Sequence, residues 1–374
     1  MFNNLLASLN DFLYSYILIF LLVAAGIYFS IRTKFVQFRL IGDAIKALKE
    51  KAEKNDNGKS VSSFQALMIS TASRVGTGNI AGIATAIVAG GPGAVFWMWV
   101  MAIVGGASAF VESTLAQVYK VKDGKEFRGG PSYYIERALG KRWLGVLFSI
   151  LLIACFAYGF NGLQTYNMSS ALEYYIPNYS DTILPAVVGL LIAAATVSHP
   201  VKQGMVQVLS VFIDTLMICT TTAFILLLSG VTGIPEKLDG IPYVQAAISA
   251  NVGSLGIHFI TFSIFAFAFT SLIGNYYYAE SNILFIKNNR ILLNVFRITC
   301  LIAIFLGAQA DFSTVWNLAD VLMGFMAIEN ILVIFLLGGI AFKVLDDYTK
   351  QKKQGIDPVF KAKNVGLNNT DTWK

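Results

Sequence analysis

The chain has 374 residues, 56% of them hydrophobic and 13% charged, with a mean hydropathy of +0.63. Apolar runs of about twenty residues recur along most of it, each long enough to cross the hydrocarbon core of a bilayer, so the chain reads as an all-α polytopic membrane protein. The net charge of +6 does not imply nucleic-acid binding, because the cations fall in short loops between spans, where they set orientation.

The first span is expected over Phe12 to Ile31. Its apolar run lacks a basic n-region and is followed by Arg32-Thr33-Lys34 rather than a small-residue cleavage site, so it reads as a retained helix and not a signal peptide. The loop from Arg32 to Lys59 is rich in cations, which places it in the cytoplasm and the N-terminus outside. Within it, Ile41 to Glu53 has the spacing of a short interfacial helix. Span two covers Phe64 to Ala89, Gly90-Gly91-Pro92-Gly93 makes a turn, and span three returns from Ala94 to Tyr119. A second basic loop, from Lys120 to Arg142, precedes span four, Trp143 to Ser170. A fifth apolar run, Ile183 to Val197, is barely long enough to span. Span six is Met205 to Ser229, an outside loop follows over Gly230 to Asn251, and spans seven, eight and nine cover Gly256 to Tyr277, Ile291 to Gln309 and Trp316 to Phe342. Nine spans put every cation-rich loop on one side, N-terminus out and C-terminus in, with residues 1–342 as the membrane domain and 343–374 as a polar cytoplasmic tail.

Span two is interrupted at Gly76-Thr77-Gly78-Asn79. Where a spanning helix unwinds, its freed N–H and C=O groups cannot face lipid, so such breaks persist only against protein or a water-filled cavity. Freed amides at the positive end of a half-helix can hold a carboxylate, and freed carbonyls can hold Na⁺. The same glycines also suit close helix packing, and both readings stand on the residues alone. Thr270 and Ser271, adjacent hydroxyls ahead of Gly274, offer oxygens suited to a hard cation, unless each bonds the carbonyl one turn back on its own helix. Arg74 and Glu112 fall at about 12–15 Å depth on neighbouring spans and are expected to pair. Asp214, Asp320 and Glu329 are further intramembrane carboxylates, explained as well by pairing with Arg297 as by function. Cys155, Cys219 and Cys300 lie inside apolar runs and read as small buried residues rather than a disulfide or metal framework. His199 and His258 stand apart with no supporting motif, so no enzyme is expected; no repeated filter loop suggests a channel.

Several motifs together resemble the alanine or glycine:cation symporter family: Gly76-Thr77-Gly78-Asn79-Ile80-Ala81-Gly82, Gly90 to Trp99, Arg128-Gly129-Gly130-Pro131, Ser198 to Gly204 with Phe212-Ile213-Asp214-Thr215, Phe267 to Ser271, and Val315 to Asp320. The resemblance runs in order over nearly the whole chain. It implies a leucine-transporter-type inverted-repeat fold (the APC superfamily) and secondary active import of alanine or glycine, with Na⁺ as the coupling ion and no organic cofactor. By position it implies that Thr77, Gly78 and Asn79 hold the substrate, that Asn161, Gln164 and Trp316 wall it, and that Gly76, Thr270 and Ser271 bind Na⁺. The implied partners are a small amino acid and the lipid bilayer, and the implied location is a bacterial-type plasma (inner) membrane. The chain departs from the family's eleven spans: a helix pair is expected to be missing near 192–199, and Met323 and Glu329 stand where asparagine and proline are expected. The rival expectation is an internally deleted, transport-inactive membrane protein of the same family.

Overall fold

In a computed structural model of the protein, residues 2–49, 67, 68, 71, 74–123, 126–175, 200–231 and 239–373 are described. Among these, seven helices are long and apolar enough to cross a membrane, and they correspond to seven of the nine expected spans. Most of the first half of span two, the fifth apolar run and His199 lie outside the described residues.

Helix α1 (Phe2–Arg32) is followed by two short helices, α2 (Val36–Arg39) and α3 (Ile41–Leu48), the second starting where the helix expected over Ile41 to Glu53 does, residues 50–53 lying outside the described residues. The half-span α4 (Gly78–Gly90) turns at Gly91 into α5 (Gly93–Val118). A two-stranded antiparallel hairpin follows, β1 (Val121–Asp123) with β2 (Glu126–Arg128), Val121 opposite Arg128, and then α6 (Pro131–Leu139). The remaining helices are α7 (Arg142–Leu172), α8 (Pro200–Phe212, continuing through Ile213–Cys219 into Thr220–Leu228), α9 (Gly240–Val252), α10 (Ser254–Ile286), α11 (Arg290–Gln309) and α12 (Phe312–Lys353). Large apolar side chains such as Phe20, Leu228, Phe262, Ile291 and Leu336 point outward, as a lipid-facing belt requires. The protein is a multi-pass, all-α membrane protein.

The loops and the tail hold ordered elements beyond what composition announces. The outside loop over Gly230 to Asn251 contains α9, started by Asp239, whose carboxylate accepts from its own helix's Gly240 N–H at 2.6 Å and from Thr85 of α4 at 2.8 Å. The basic loop after α5 is the hairpin plus α6. In the tail, α12 runs on to Lys353, and the chain then folds back so that Phe360, Ala362 and Trp373 join the main core. Trp373 Nε1 donates to the Gln117 carbonyl at 2.8 Å, and Arg137 grips Asp371 through two bonds of 3.0 Å. Lys120 lies between the Phe127 and Trp373 rings at 4.7 and 4.6 Å, and burial pushes its ammonium down to about 8. Lys352 reaches the Asp43 carboxylate and ties the end of α12 to α3.

Helix α7 is held against α11 by backbone contact. A Cβ on Gly307 would fall 2.2 Å from the Gly162 Cα, so Gly307 tolerates no side chain without separating the helices. Thr165, one turn further along α7, donates to the Ile304 carbonyl of α11 at 3.0 Å.

Trp373→Ala should release the C-terminal segment while leaving the bundle folded. Removing the half-buried ring costs local stability of about 2 kcal/mol, below the range for a fully buried tryptophan. Hydrogen exchange should then accelerate at residues 360–373 and be unchanged in α7 and α11.

Candidate functional site

The chain between Thr71 and Gly78 shows why the break exists. Val75 N still bonds the Thr71 carbonyl at 2.8 Å, the last helical bond of the first half, and α4 begins at Gly78 with Ile80 N bonded to the Thr77 carbonyl. Gly76 and Thr77 lie between the two segments, both buried. Three backbone groups at the break are met by side chains, while the Gly76 and Thr77 carbonyls accept from the first amides of α4. Gly76 N–H donates to Asn79 Oδ1 at 2.9 Å, Thr77 N–H to Gln164 Oε1 at 3.0 Å, and the Val75 carbonyl accepts from the Ser271 hydroxyl at 3.1 Å. The interruption therefore persists inside an apolar helix because three other positions replace its missing ladder.

Gly76 is glycine for want of room. A Cβ there would lie 2.8 Å from Ser271 Oγ and 2.9 Å from Gln164 Nε2. Thr77 is fully buried; its hydroxyl donates to Gln164 Oε1 at 2.9 Å and accepts from Asn167 Nδ2 at 2.8 Å. Asn79 continues the network outward, its Nδ2 donating to Asp214 Oδ1 at 2.7 Å and to Cys219 Sγ at 3.0 Å. Asp214 and Cys219 are five apart on α8, and they reach one partner because Ile213–Cys219 is π-helical, which brings residues five apart nearly into line. Trp316 on α12 closes the next turn: its ring packs on Gly82, with Phe312 against it at 5.2 Å.

The structure thus brings Gly76, Thr77, Asn79, Gln164 and Ser271 into one hydrogen-bonded group, with Gly78 at the head of α4 and Trp316 one turn away. It does not bring in Asn161 or Thr270. Asn161 is fully buried but accepts from Asn275 at 3.1 Å and faces Cys300, inside the α7, α10 and α11 contact. The Thr270 hydroxyl donates to the Phe267 carbonyl of its own helix at 3.1 Å. Asn167 was missed by the sequence reading, although it sits one turn past Gln164 on the same face of α7, and that spacing is the signal that locates it.

The expected charge pairing is also redrawn. Arg74 acts electrostatically on both Glu112 and Asp214, and Asp214 accepts from Asn79 Nδ2 at 2.7 Å. Asn330 accepts from the Tyr134 hydroxyl. Arg297 pairs instead with Glu280 at 3.1 Å, and Asn10, on α1, donates to Asn317 of α12 at 2.8 Å.

The group offers two kinds of chemistry. The head of α4, with Thr77 N–H and the Thr77 hydroxyl pointing at one oxygen, is a cradle for an anionic oxygen, currently filled by the neutral Gln164 amide. Ser271 Oγ and the Val75 carbonyl, from two different helices, are hard oxygen donors of the kind Na⁺ takes. A cleft of about 590 Å³, lined by Ser170, Glu173, Gln245 and Ser249, opens at the end of α7 two turns beyond Gln164.

Gln164→Leu keeps the volume and removes the acceptor. With the buried Thr77 N–H and hydroxyl left unpaired, thermal unfolding should register a loss of about 1–3 kcal/mol; a change near zero would mean that the break does not depend on Gln164.

A family model described as the sodium:alanine symporter family matches residues 1–193 and 188–362. The chain is similar to the amino-acid carrier protein AlsT of Bacillus subtilis, with 42% identity over 462 aligned residues, 100% of this chain and 98% of AlsT. It is 41% identical to the probable sodium/glutamine symporter GlnT of the same organism, covering 94% of this chain and 91% of the relative. It is 27% identical to the sodium/alanine symporter AgcS of Methanococcus maripaludis, over 94% of this chain and 98% of that protein. On these matches, which run through the helix break and through the helices that satisfy it, the chain belongs to the sodium:alanine symporter family.

Proposed function

We propose that the protein is a secondary transporter that imports a small neutral amino acid, alanine or glycine, with Na⁺ moving inward alongside it. The observation that carries this reading is the Gly76–Thr77 interruption, whose amide and hydroxyl converge on a single oxygen position beside a pair of cation-type oxygens. A substrate carboxylate displaces Gln164 Oε1 from that position, and Na⁺ takes Ser271 Oγ and the Val75 carbonyl. The Trp316 ring over Gly82 keeps the adjoining space short, which favours alanine or glycine over the glutamine named for one relative. The cleft at the end of α7 is the approach from the outer side, with the N-terminus outside, the C-terminus cytoplasmic and the protein in a bacterial-type inner membrane. One charge moving down about 100 mV releases about 2.3 kcal/mol, more than a tenfold gradient of a neutral solute requires. The fold we read is the leucine-transporter-type inverted repeat, with Thr77, Gly78, Asn79, Gln164 and Trp316 on substrate and Gly76 and Ser271 at the ion.

A second reading has its own support. The alignment with AlsT spans 462 positions against a chain of 374, so that relative carries residues this chain does not, and the family match falls in two pieces that meet at 188–193. We place a missing helix pair near 192–199, and a chain without it can be a folded membrane protein that does not transport.

Uptake of labelled alanine into proteoliposomes separates the two. Under an inward Na⁺ gradient the first reading predicts accumulation that collapses without the gradient and falls about tenfold in Ser271→Ala, the worth of one lost hydrogen bond at the ion. No accumulation by protein shown to be folded and inserted would establish the second.

A further inference from the structure

Asn167 is completely buried, yet only half of its amide is paired. Its Nδ2 donates to the Thr77 hydroxyl at 2.8 Å, while its Oδ1 is enclosed without any hydrogen-bond partner. Buried amide oxygens are rarely left this way in native proteins, so the group calls for a donor that arrives from elsewhere.

The network fixes which way the amide faces. Thr77 has one hydroxyl proton, and it is committed to Gln164 Oε1 at 2.9 Å. Thr77 Oγ can therefore only accept from Asn167, and turning the Asn167 amide over would set two oxygens against each other with no proton between them. Oδ1 is thus turned from Thr77, on an amide whose Nδ2 is one hydrogen bond from the Thr77 hydroxyl at the head of α4.

In an α-amino acid the ammonium nitrogen is two bonds from the carboxyl carbon, so whatever binds the ammonium must lie next to whatever binds the carboxylate. Asn167 meets that condition, being bonded to the same Thr77 that forms the carboxylate cradle. Resting on the reading of this break as the substrate site, we infer that Asn167 Oδ1 accepts a hydrogen bond from the ammonium group of the transported amino acid and selects for that group. Asn167 Nδ2 meanwhile holds the Thr77 hydroxyl in register with the carboxylate, so a single side chain sets the spacing between the two ends of the substrate.

The test is calorimetric binding to the purified full chain in Na⁺, using alanine and its deamino analogue propionate as probes. Asn167→Ala should weaken alanine by about 10- to 100-fold more than it weakens propionate, the worth of a hydrogen bond to a charged donor. Asn167→Gln, which keeps both the amide donor and the amide oxygen, should recover part of the alanine affinity. If Asn167→Ala does not fold, Asn167→Gln carries the comparison: a loss for alanine larger than the loss for propionate supports the inference, and equal losses overturn it. Equal losses for alanine and propionate would reduce Asn167 to a prop for Thr77 and overturn the inference, as would unchanged alanine affinity or a fall in Na⁺ affinity alone. Were the wild-type chain to bind no amino acid, the reading of the site would fail and the inference with it. Wild-type binding that survives Asn167→Ala would overturn the inference and leave the reading standing.

Discussion

The backbone of a spanning helix has no water to turn to, and at Gly76 and Thr77 this protein gives up the helical ladder in the middle of an apolar segment. Everything near the site follows from repairing that loss. Gln164 supplies an acceptor for Thr77 N–H, Asn79 folds back onto Gly76 N–H, and Ser271 donates to the Val75 carbonyl. An uncompensated amide or carbonyl in hydrocarbon costs several kcal/mol. The three compensating side chains come from α7, α4 and α10, so the break can only exist when these elements are docked together.

That docking explains the irregularities of the surrounding helices. Helix α7 reaches the break because Gly307 lets α11 lie backbone to backbone on it at Gly162, and because Ala154–Phe160 is π-helical just ahead of Asn161, rotating the face that carries Gln164 and Asn167. Helix α8 uses a π-helical stretch to turn Asp214 and Cys219 together onto Asn79. Helix α9 is pinned through Asp239 to Thr85, two turns along α4 from the break. At the other end of the bundle the hairpin, α6 and the returning C-terminal segment enclose Lys120 and fasten α5 to α12.

Much of this was legible in the sequence. Runs of apolar residues with cations at their ends give the spans, and a Gly-Thr-Gly-Asn in such a run can hardly continue a helix. Ser271 was legible as an oxygen donor, but its neighbour Thr270 has the same chemistry, and only helix rotation decides that one hydroxyl reaches Val75 while the other bonds its own turn. Asn161 lies outside the hydrogen-bonded group for a similar reason: the π-helical stretch before it shifts the face of α7, and no residue pattern announces such a stretch. Asp214 stood among several intramembrane carboxylates until Asn79 distinguished it. The fold of the tail was hidden because its polar composition conceals two aromatic anchors, Phe360 and Trp373, stacked edge to face at 5.4 Å.

The central claim is that one interrupted helix binds an amino acid and a cation in mutual support. Its most direct test is thermodynamic reciprocity on the purified chain: alanine affinity as a function of Na⁺, and Na⁺ affinity as a function of alanine. The account predicts that each ligand tightens the other by the same factor, and that K⁺ or choline cannot replace Na⁺. Alanine binding indifferent to Na⁺ would contradict it, because the two sites would then not share the break.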